Sequence, residues 1–471
     1  MFTIIYYDIF LNANKKIKKI RFFSKLSIEK LNAQAKNFNR YKALLLDNTK
    51  KVIILYVTMI YYVFEIIIQG VIIMSEKLKK ALELHKKWFL ESGIMPDNGK
   101  LGIAERVLLT VNNSAAEKAM SSFPAWTYFG NGCFLEQRRA DCCFETAYYF
   151  LRRFQLFNDP QDREICSNML NYLYRRSGML SRDPQITTCE EGVWNWSDIR
   201  WTPAIWFDDN SWCIILALTI GNMDAEFDQK YEMKKYALLG AAAMVGGFER
   251  QWAKNDAREE GKVFWSGNLE LPHWGALTAA ALVLAAQEEK DEALIKRYYD
   301  ADKVYFDFIK KNLDTFNFSE LSYALLYFGM SMKYNLKAEK EILGAEIRKK
   351  LLDNCDKENL CLPSTHYEAP KGGALADLIY TMNWFYTAMV VFEKELPTKE
   401  GGEWLKKFSV FLADIQDTCS QKELCGCWRG MYDISNHSWG GGDCYEGGAN
   451  SIYSGWTNAP IGWSLAECCN N

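Results

Sequence analysis

The sequence predicts an all-α fold in which about six helical hairpins close into an (α/α)6 toroid with long loops on one rim. Three observations carry that expectation. After residue 74 the pattern is helix, loop, helix, with little of the alternation that marks a strand. Several helix-like runs, such as 238–247 and 275–286, are apolar nearly all round and rich in Ala and Gly, so they must pack on both sides. The loops differ widely in length and no fixed period repeats, which argues against a solenoid.

The helix-like stretches run roughly over 75–92, 136–157, 162–177, 208–221, 230–252, 274–288, 292–313, 318–334, 337–353, 372–395, 402–418 and 456–468. In the first, Leu78, Ala81, Leu82 and Leu84 form an apolar face, as do Tyr305, Phe308 and Ile309 in another. Breaks such as Met95-Pro96-Asp97-Asn98-Gly99, Leu271-Pro272 and Leu362-Pro363 punctuate the runs. No Pro/Ser-rich or charged linker divides the chain after Met74, so residues 74–471 read as one domain.

The chain has 471 residues and is 49% hydrophobic, enough for a sizeable core and too much for global disorder. A net charge of -3, with no basic stripe interleaved with aromatics, excludes a nucleic-acid partner. The 14 Cys fall at irregular spacings in a large chain, with vicinal pairs at Cys142-Cys143 and Cys468-Cys469, and read as thiols in a reducing cytoplasm.

Residues 1–73 differ in kind from the rest. They carry 12 Lys/Arg against 4 Asp/Glu, whereas the remainder carries 44 against 55. Their apolar run, 52–73, has the length of a membrane anchor and is interrupted by Glu65. It starts too late for a signal peptide and no small-residue cleavage site follows. The favoured reading is an upstream extension ahead of a true start at Met74, because Gln69-Gly70-Val71 admits codons that contain a bacterial ribosome-binding sequence. A membrane partner is expected only if 52–73 is a genuine anchor.

Three loop regions hold candidate chemistry. The first runs from Glu190 to Trp212 and contains Trp194, Trp196, Trp201, Trp206 and Trp212. Asp208, Asp209 and Asn210 stand there at the head of a helix, where N-capping accounts for one carboxylate and not for two. The second, Phe264 to Trp274, includes His273, one of four His in the chain. The third joins Arg429, Trp439, Asp443, Glu446 and Trp456 through dense glycine, useful where backbone bends sharply or approaches a ligand. Aromatic faces with polar edges suit sugar rings. Cys425, Cys427, Cys444 and His437 lack the usual zinc spacing, so no metal is expected, nor any cofactor.

The Trp206-Phe207-Asp208-Asp209-Asn210-Ser211-Trp212 run at a helix head, within about six hairpins, resembles the six-hairpin glycosidase superfamily. That resemblance implies a glycoside hydrolase acting on an oligosaccharide. Such hydrolysis needs one carboxylic acid to protonate the leaving oxygen and one carboxylate to activate water or attack the anomeric carbon. Asp209 with Glu446 is the first choice, with Asp208 and Asp443 as alternates. Arg429 and His273 would position substrate, together with Asn210, and Trp194, Trp196, Trp206, Trp212, Trp274, Trp439 and Trp456 would stack on it. Two other classes stay open, a terpenoid cyclase or prenyltransferase-like toroid and a non-catalytic carbohydrate-binding toroid. Neither an Asp-rich metal motif nor a basic diphosphate clamp is evident for the former.

Overall fold

Helices that are apolar on every side need neighbours on every side, and the chain supplies them by building two concentric layers. The computed structural model describes residues 74–110, 125–184, 190–199, 205–254, 264–356, 358, 360–364, 374–441 and 447–469. Asp443 and Glu446, Trp201, Cys444 and the whole of 1–73 lie outside the described residues.

Twelve of the helices form six outer-then-inner hairpins. The outer members are α1 (74–91), α3 (Pro160–Asn171), α6 (Met233–Trp252), α8 (Glu292–Asn312), α10 (Lys337–Asn354) and α12 (Lys399–Ile415). The inner members are α2 (Ala140–Phe157), α4 (Phe207–Met223), α7 (Pro272–Ala286), α9 (Phe318–Ser331), α11 (Met382–Glu395) and α13 (Ala459–Cys468). Each inner helix packs on the next, and α13 returns to α2, so the ring closes. A short helix, α5 (Ala225–Tyr231), precedes α6. None of the helices among the described residues is long and apolar enough to cross a membrane.

Every expected helix is present, most with ends shifted by a few residues and two with larger changes. The run expected over 230–252 is broken at Glu232, whose left-handed backbone (φ 54°) separates α5 from α6. The run expected from 372 begins at Met382 instead, because Leu375–Asp377 forms strand β6.

The rim also carries strands that the sequence pattern does not announce. β1 (Arg106–Leu109), β2 (Trp126–Phe129), β3 (Gly132–Leu135) and β9 (Ser451–Tyr453) make a sheet ordered β2-β3-β1-β9. All four residues of β1 and of β3 are buried, so these strands are covered on both faces and show no alternation. β9 pairs antiparallel with β1 (Arg106↔Tyr453, Val107↔Ile452), tying a late segment to an early one just before α13 begins. Two smaller sheets join β4 (Ile205–Trp206) to β5 (Trp265–Ser266), and β6 to β7 (Met431–Asp433) and β8 (Ser438–Trp439).

Every described cysteine is a free thiol. Among the described residues no group of three or more His, Cys, Asp or Glu is placed to hold a metal ion.

Gly275, in the first turn of α7, shows how tightly the two layers meet. A Cβ there would stand 2.2 Å from Tyr305 Cε2 of outer helix α8 and 2.3 Å from the Leu269 carbonyl oxygen. Overpacking of this kind typically costs about 1–3 kcal/mol. Gly275→Ala is expected to lower stability by about that amount, read as a reduced denaturation midpoint, without loss of helical circular dichroism.

Candidate active site

All six inner helices begin at the same rim, where side-chain and backbone hydrogen bonds tie many of their N-terminal ends together. Helix N-termini carry partial positive charge from unpaired N–H groups, so acidic residues are favoured there. Here they are abundant: Asp141 and Glu145 on α2, Asp208 and Asp209 on α4, and Glu320 on α9.

Arg139, the residue before α2, holds this rim together. It is almost fully buried, and its Nε and Nη2 donate to the two oxygens of Asp141 at 3.2 and 2.7 Å. Nη2 also donates to Asp209 Oδ1, and Nη1 lies 3.8 Å from Glu105 Oε1. The guanidinium carbon is 4.8 Å from the Trp456 ring centroid and 5.6 Å from that of Trp196. A bridge between Arg139 and Ser197 fixes the backbone of the Trp196 loop beside it.

One guanidinium does not balance the carboxylates around it. Burial holds the Asp209 carboxyl well above the usual carboxylate range; Arg139 opposes the shift, while Asp141, Asp208 and a hydrogen bond shared with Asp141 reinforce it. Burial raises Asp208 as well, offset by His273 and Arg139. Asp208 Oδ1 is sealed from solvent with no hydrogen-bond partner among the described residues. Glu145, fully buried one turn below Asp141, is pushed up by burial and by the Asp141 charge. Its Oε2 accepts from the Trp456 N–H at 2.8 Å, and its Oε1 has no partner among the described residues.

On the next two inner helices, His273 and Glu320 form a pair. Glu320 Oε1 lies 2.6 Å from His273 Nδ1, and Oε2 accepts the His273 backbone N–H at 2.8 Å. The imidazole rests on Trp274, with ring centroids 3.8 Å apart, and lies 6.0 Å from Tyr323. From α9 the chain of contacts continues: Ser319 Oγ donates to the Tyr380 carbonyl ahead of α11, and Asn383 Nδ2 donates to the Trp456 carbonyl ahead of α13. Trp456 then returns to α2, its Nε1 donating to Asp141 Oδ2 at 2.9 Å.

Trp456 is held in a strained backbone conformation, with φ at +30°. Its N–H, carbonyl and indole N–H are all engaged, and its ring stacks on Tyr453 at 5.9 Å. Gly455 precedes it because a Cβ there would lie 2.3 Å from Glu145 Oε2 and 2.8 Å from Cys142 Cα.

The structure sorts the residues named from sequence. Asp208, Asp209, His273, Trp196, Trp274 and Trp456 come together at this rim. Trp194 and Trp212 are corrections: each is only 2% exposed, Trp194 packing edge-on against Phe144 and Tyr174, Trp212 stacking on Trp384, so neither indole face reaches a ligand. Asn210 is structural too. Its amide bonds the N–H and carbonyl of Trp194 (2.8 and 3.0 Å) and the Trp206 carbonyl (3.2 Å), stitching loop to helix. Trp206 is half-buried and serves as the residue capping α4. Arg429 is committed to Asp417 through Nε and Nη2 at 2.7 and 2.6 Å, and among the described residues it makes no contact with the acidic rim. Trp439 joins Tyr432 and the small core of Leu375, Ile379, Met431 and Tyr453 that also supports Trp456.

Arg139, Asp141, Glu145 and Glu320 were not singled out from sequence. The signal was present: Arg139-Ala140-Asp141-Cys142-Cys143-Phe144-Glu145 places two acids four apart at the head of a helix that is otherwise apolar, Thr146 apart, as far as Leu151.

A scan of protein-family models and a search of curated proteins found no match to this sequence. Solved structures do match. A sugar epimerase from a ruminal bacterium superposes with a TM-score of 0.54 at 10% identity, covering 84% of this chain and 98% of that one. The cellobiose 2-epimerase of Bacillus thermoamylovorans gives 0.53 at 10% identity over 84% and 98%. An unsaturated glucuronyl hydrolase specific for heparin gives 0.51 at 10% identity over 84% and 96%. The chain has the six-hairpin glycosidase fold. The rim of inner-helix N-termini is therefore the mouth of an (α/α)6 toroid.

Glu145 generates a prediction from its environment. A carboxyl raised by burial costs stability as pH rises from its ordinary value near 4.5 towards its folded value, because the unfolded chain ionises first. Glu145→Gln removes that cost and keeps an acceptor for the Trp456 N–H. The variant is expected to show a flatter decline of melting temperature with rising pH above about 4.5 than the parent protein. Parallel melting-temperature profiles would show that Glu145 carries no such burden.

Proposed function

We propose that this chain is a carbohydrate-active enzyme that hydrolyses a glycosidic bond in an oligosaccharide, with Asp209 as proton donor and a second carboxylate acting on the anomeric centre. One observation carries the reading. Asp208 and Asp209 are consecutive residues in the first turn of an inner helix, in different surroundings, the one affected by His273 and the other bonded to Arg139. Glycoside hydrolysis asks for two carboxyl groups in different roles, an acid that keeps its proton and a carboxylate that does not. Asp208 is the second carboxylate within the described residues, and Asp443 and Glu446 remain alternates. Gly441 packs on Leu375, and Ala449 joins the small core with Tyr453, which Trp456 flanks.

Trp196, Trp274 and Trp456, half-buried beside the acids, are the indoles available to stack on a sugar ring. The carboxylate separation decides the stereochemical course, with roughly 5 Å giving retention and about 6.5–9.5 Å inversion.

A second reading has its own observation. An imidazole fixed by a carboxylate, as in the His273–Glu320 pair, is the arrangement of a general base, and epimerases stand among the structural neighbours. Incubation of oligosaccharides in D2O separates the two: hydrolysis releases new reducing ends, whereas epimerisation exchanges a carbon-bound hydrogen with no change in chain length.

Under the hydrolase reading, Asp208→Asn and Asp209→Asn each lower kcat by about 10²–10⁴-fold. The Asp209 loss is expected to shrink on aryl glycosides whose leaving group needs no protonation. Full turnover by both variants on a confirmed substrate would place the chemistry elsewhere.

A further inference from the structure

Beyond the acids, the mouth holds a phenol whose hydroxyl has no hydrogen-bond partner among the described residues. Tyr323 lies on α9, one turn in from Glu320, and is only 7% exposed. Its ring centroid is 5.2 Å from that of Trp384 on α11 and 6.0 Å from that of His273 on α7. A buried phenol ordinarily bonds its hydroxyl or, at a cost, hides it. Tyr327, one turn further along α9, bonds its own to Asp302, whereas those of Tyr174, Tyr298 and Tyr305 are sealed from solvent. The Tyr323 hydroxyl does neither, so the small part of this side chain that stays open includes its polar end.

That opening faces the mouth. Outer helices cover the far side of α9, Phe306 of α8 packing near Phe328 and the Lys340 ammonium of α10 lying over the Tyr327 ring. His273 and Trp384 flank Tyr323 from the neighbouring inner helices, which leaves the lumen. Burial and the Glu320 charge hold the phenol well above its usual range, and Asp208 of α4 and Glu145 of α2 add to the shift from across the ring. The hydroxyl therefore keeps its hydrogen and can donate it. Beside it, His273 has a second open atom. A carboxylate only accepts, so the hydrogen in the 2.6 Å contact with Glu320 belongs to Nδ1, and Nε2 of the neutral ring is an acceptor. No described residue bonds Nε2, and the side chain is 26% exposed. Trp274 beneath the ring and the Glu320 bonds hold its orientation.

We propose that Tyr323 Oη and His273 Nε2 form a subsite that grips two hydroxyls of one sugar ring, the phenol donating and the imidazole accepting. A sugar hydroxyl donates and accepts equally well, so neighbouring hydroxyls meet a fixed donor and a fixed acceptor together. A ligand that lacks either one leaves a polar atom of the protein bare in a partly dry mouth, and selection follows from that penalty. Tyr323 is thereby a residue that determines specificity. The subsite rests on the carbohydrate reading and deepens it, and it serves hydrolysis and epimerisation alike.

Tyr323→Phe removes one hydroxyl and keeps the ring, and two measurements read the result. No described residue bonds that hydroxyl, so the melting temperature is expected to equal or exceed that of the parent protein. Tyr327→Phe is the control on the same helix: it strips Asp302 of a partner and is expected to melt lower. On the oligosaccharide turned over in D2O, Tyr323→Phe is expected to raise KM about tenfold with kcat nearly unchanged. Monodeoxy derivatives of that substrate identify the hydroxyl concerned: one of them weakens kcat/KM about tenfold in the parent and little further in Tyr323→Phe. A melting temperature that falls as far as in Tyr327→Phe reveals a protein partner, and an unmoved KM reveals an idle phenol; either overturns the proposal. Failure of the proposed function is a separate result, in which no oligosaccharide is turned over. Calorimetric titration with glucose, mannose and galactose then decides the subsite: weaker binding by Tyr323→Phe supports it, whereas equal binding or none overturns it.

Discussion

The architecture of the mouth depends on one buried cation. Arg139 stands between the first turns of α2 and α4 and within reach of Trp196 and Trp456, so it joins three parts of the rim that are distant in sequence. A buried guanidinium is tolerated only where its donors are satisfied, and a buried carboxylate only where it is paired or protonated. Arg139 satisfies Asp141 and partly satisfies Asp209; Glu145 and Asp208 are left with unpartnered oxygens among the described residues. The shortage of positive charge keeps protons on carboxyl groups in the mouth, and protons on carboxyl groups are what acid catalysis draws on.

That arrangement follows from how the ring is made. Outer-then-inner hairpins point every inner helix the same way, which gathers six N-termini at one end. Each N-terminus offers unpaired N–H groups and favours acidic residues in its first turn. The catalytic candidates are the acids that those helices attract for a structural reason, left partly uncompensated. Glu320 shows the overlap plainly: it satisfies a backbone N–H in the first turn of α7 and orients an imidazole with the same carboxylate.

The two-layer helical plan was legible in the sequence because burial on all sides leaves a direct mark, as in Gly275 to Ala286. The Asp208–Asp209 pair was legible because capping explains only one acid. The sheet was not, since β1 and β3 are covered on both faces and β1 includes the buried Arg106, so no polar-apolar alternation appears. Trp194 and Trp212 were misassigned for a related reason. Residue type and a loop-like setting say nothing of depth, and these two indoles turn inward to fill space between helices. Asp141 and Glu145 escaped notice because they sit inside a helical run, where a charge normally marks a solvated face. Here that face is fully buried.

Closure of the ring and assembly of the mouth are one event. Trp456 tolerates φ +30° because Glu145, Asp141 and Asn383 fix its three polar groups, and strain of this sort persists only where neighbours over-determine it. Those neighbours belong to α2 and α11, the helices on either side of α13. Until α13 docks between them, Trp456 has no reason to adopt that conformation, and Arg139 lacks one of its aromatic neighbours. The acids of α2 and α4 would then stand in a wider, wetter opening, where burial no longer holds their protons. Chemistry that needs a raised carboxyl therefore becomes available only when the last hairpin completes the toroid.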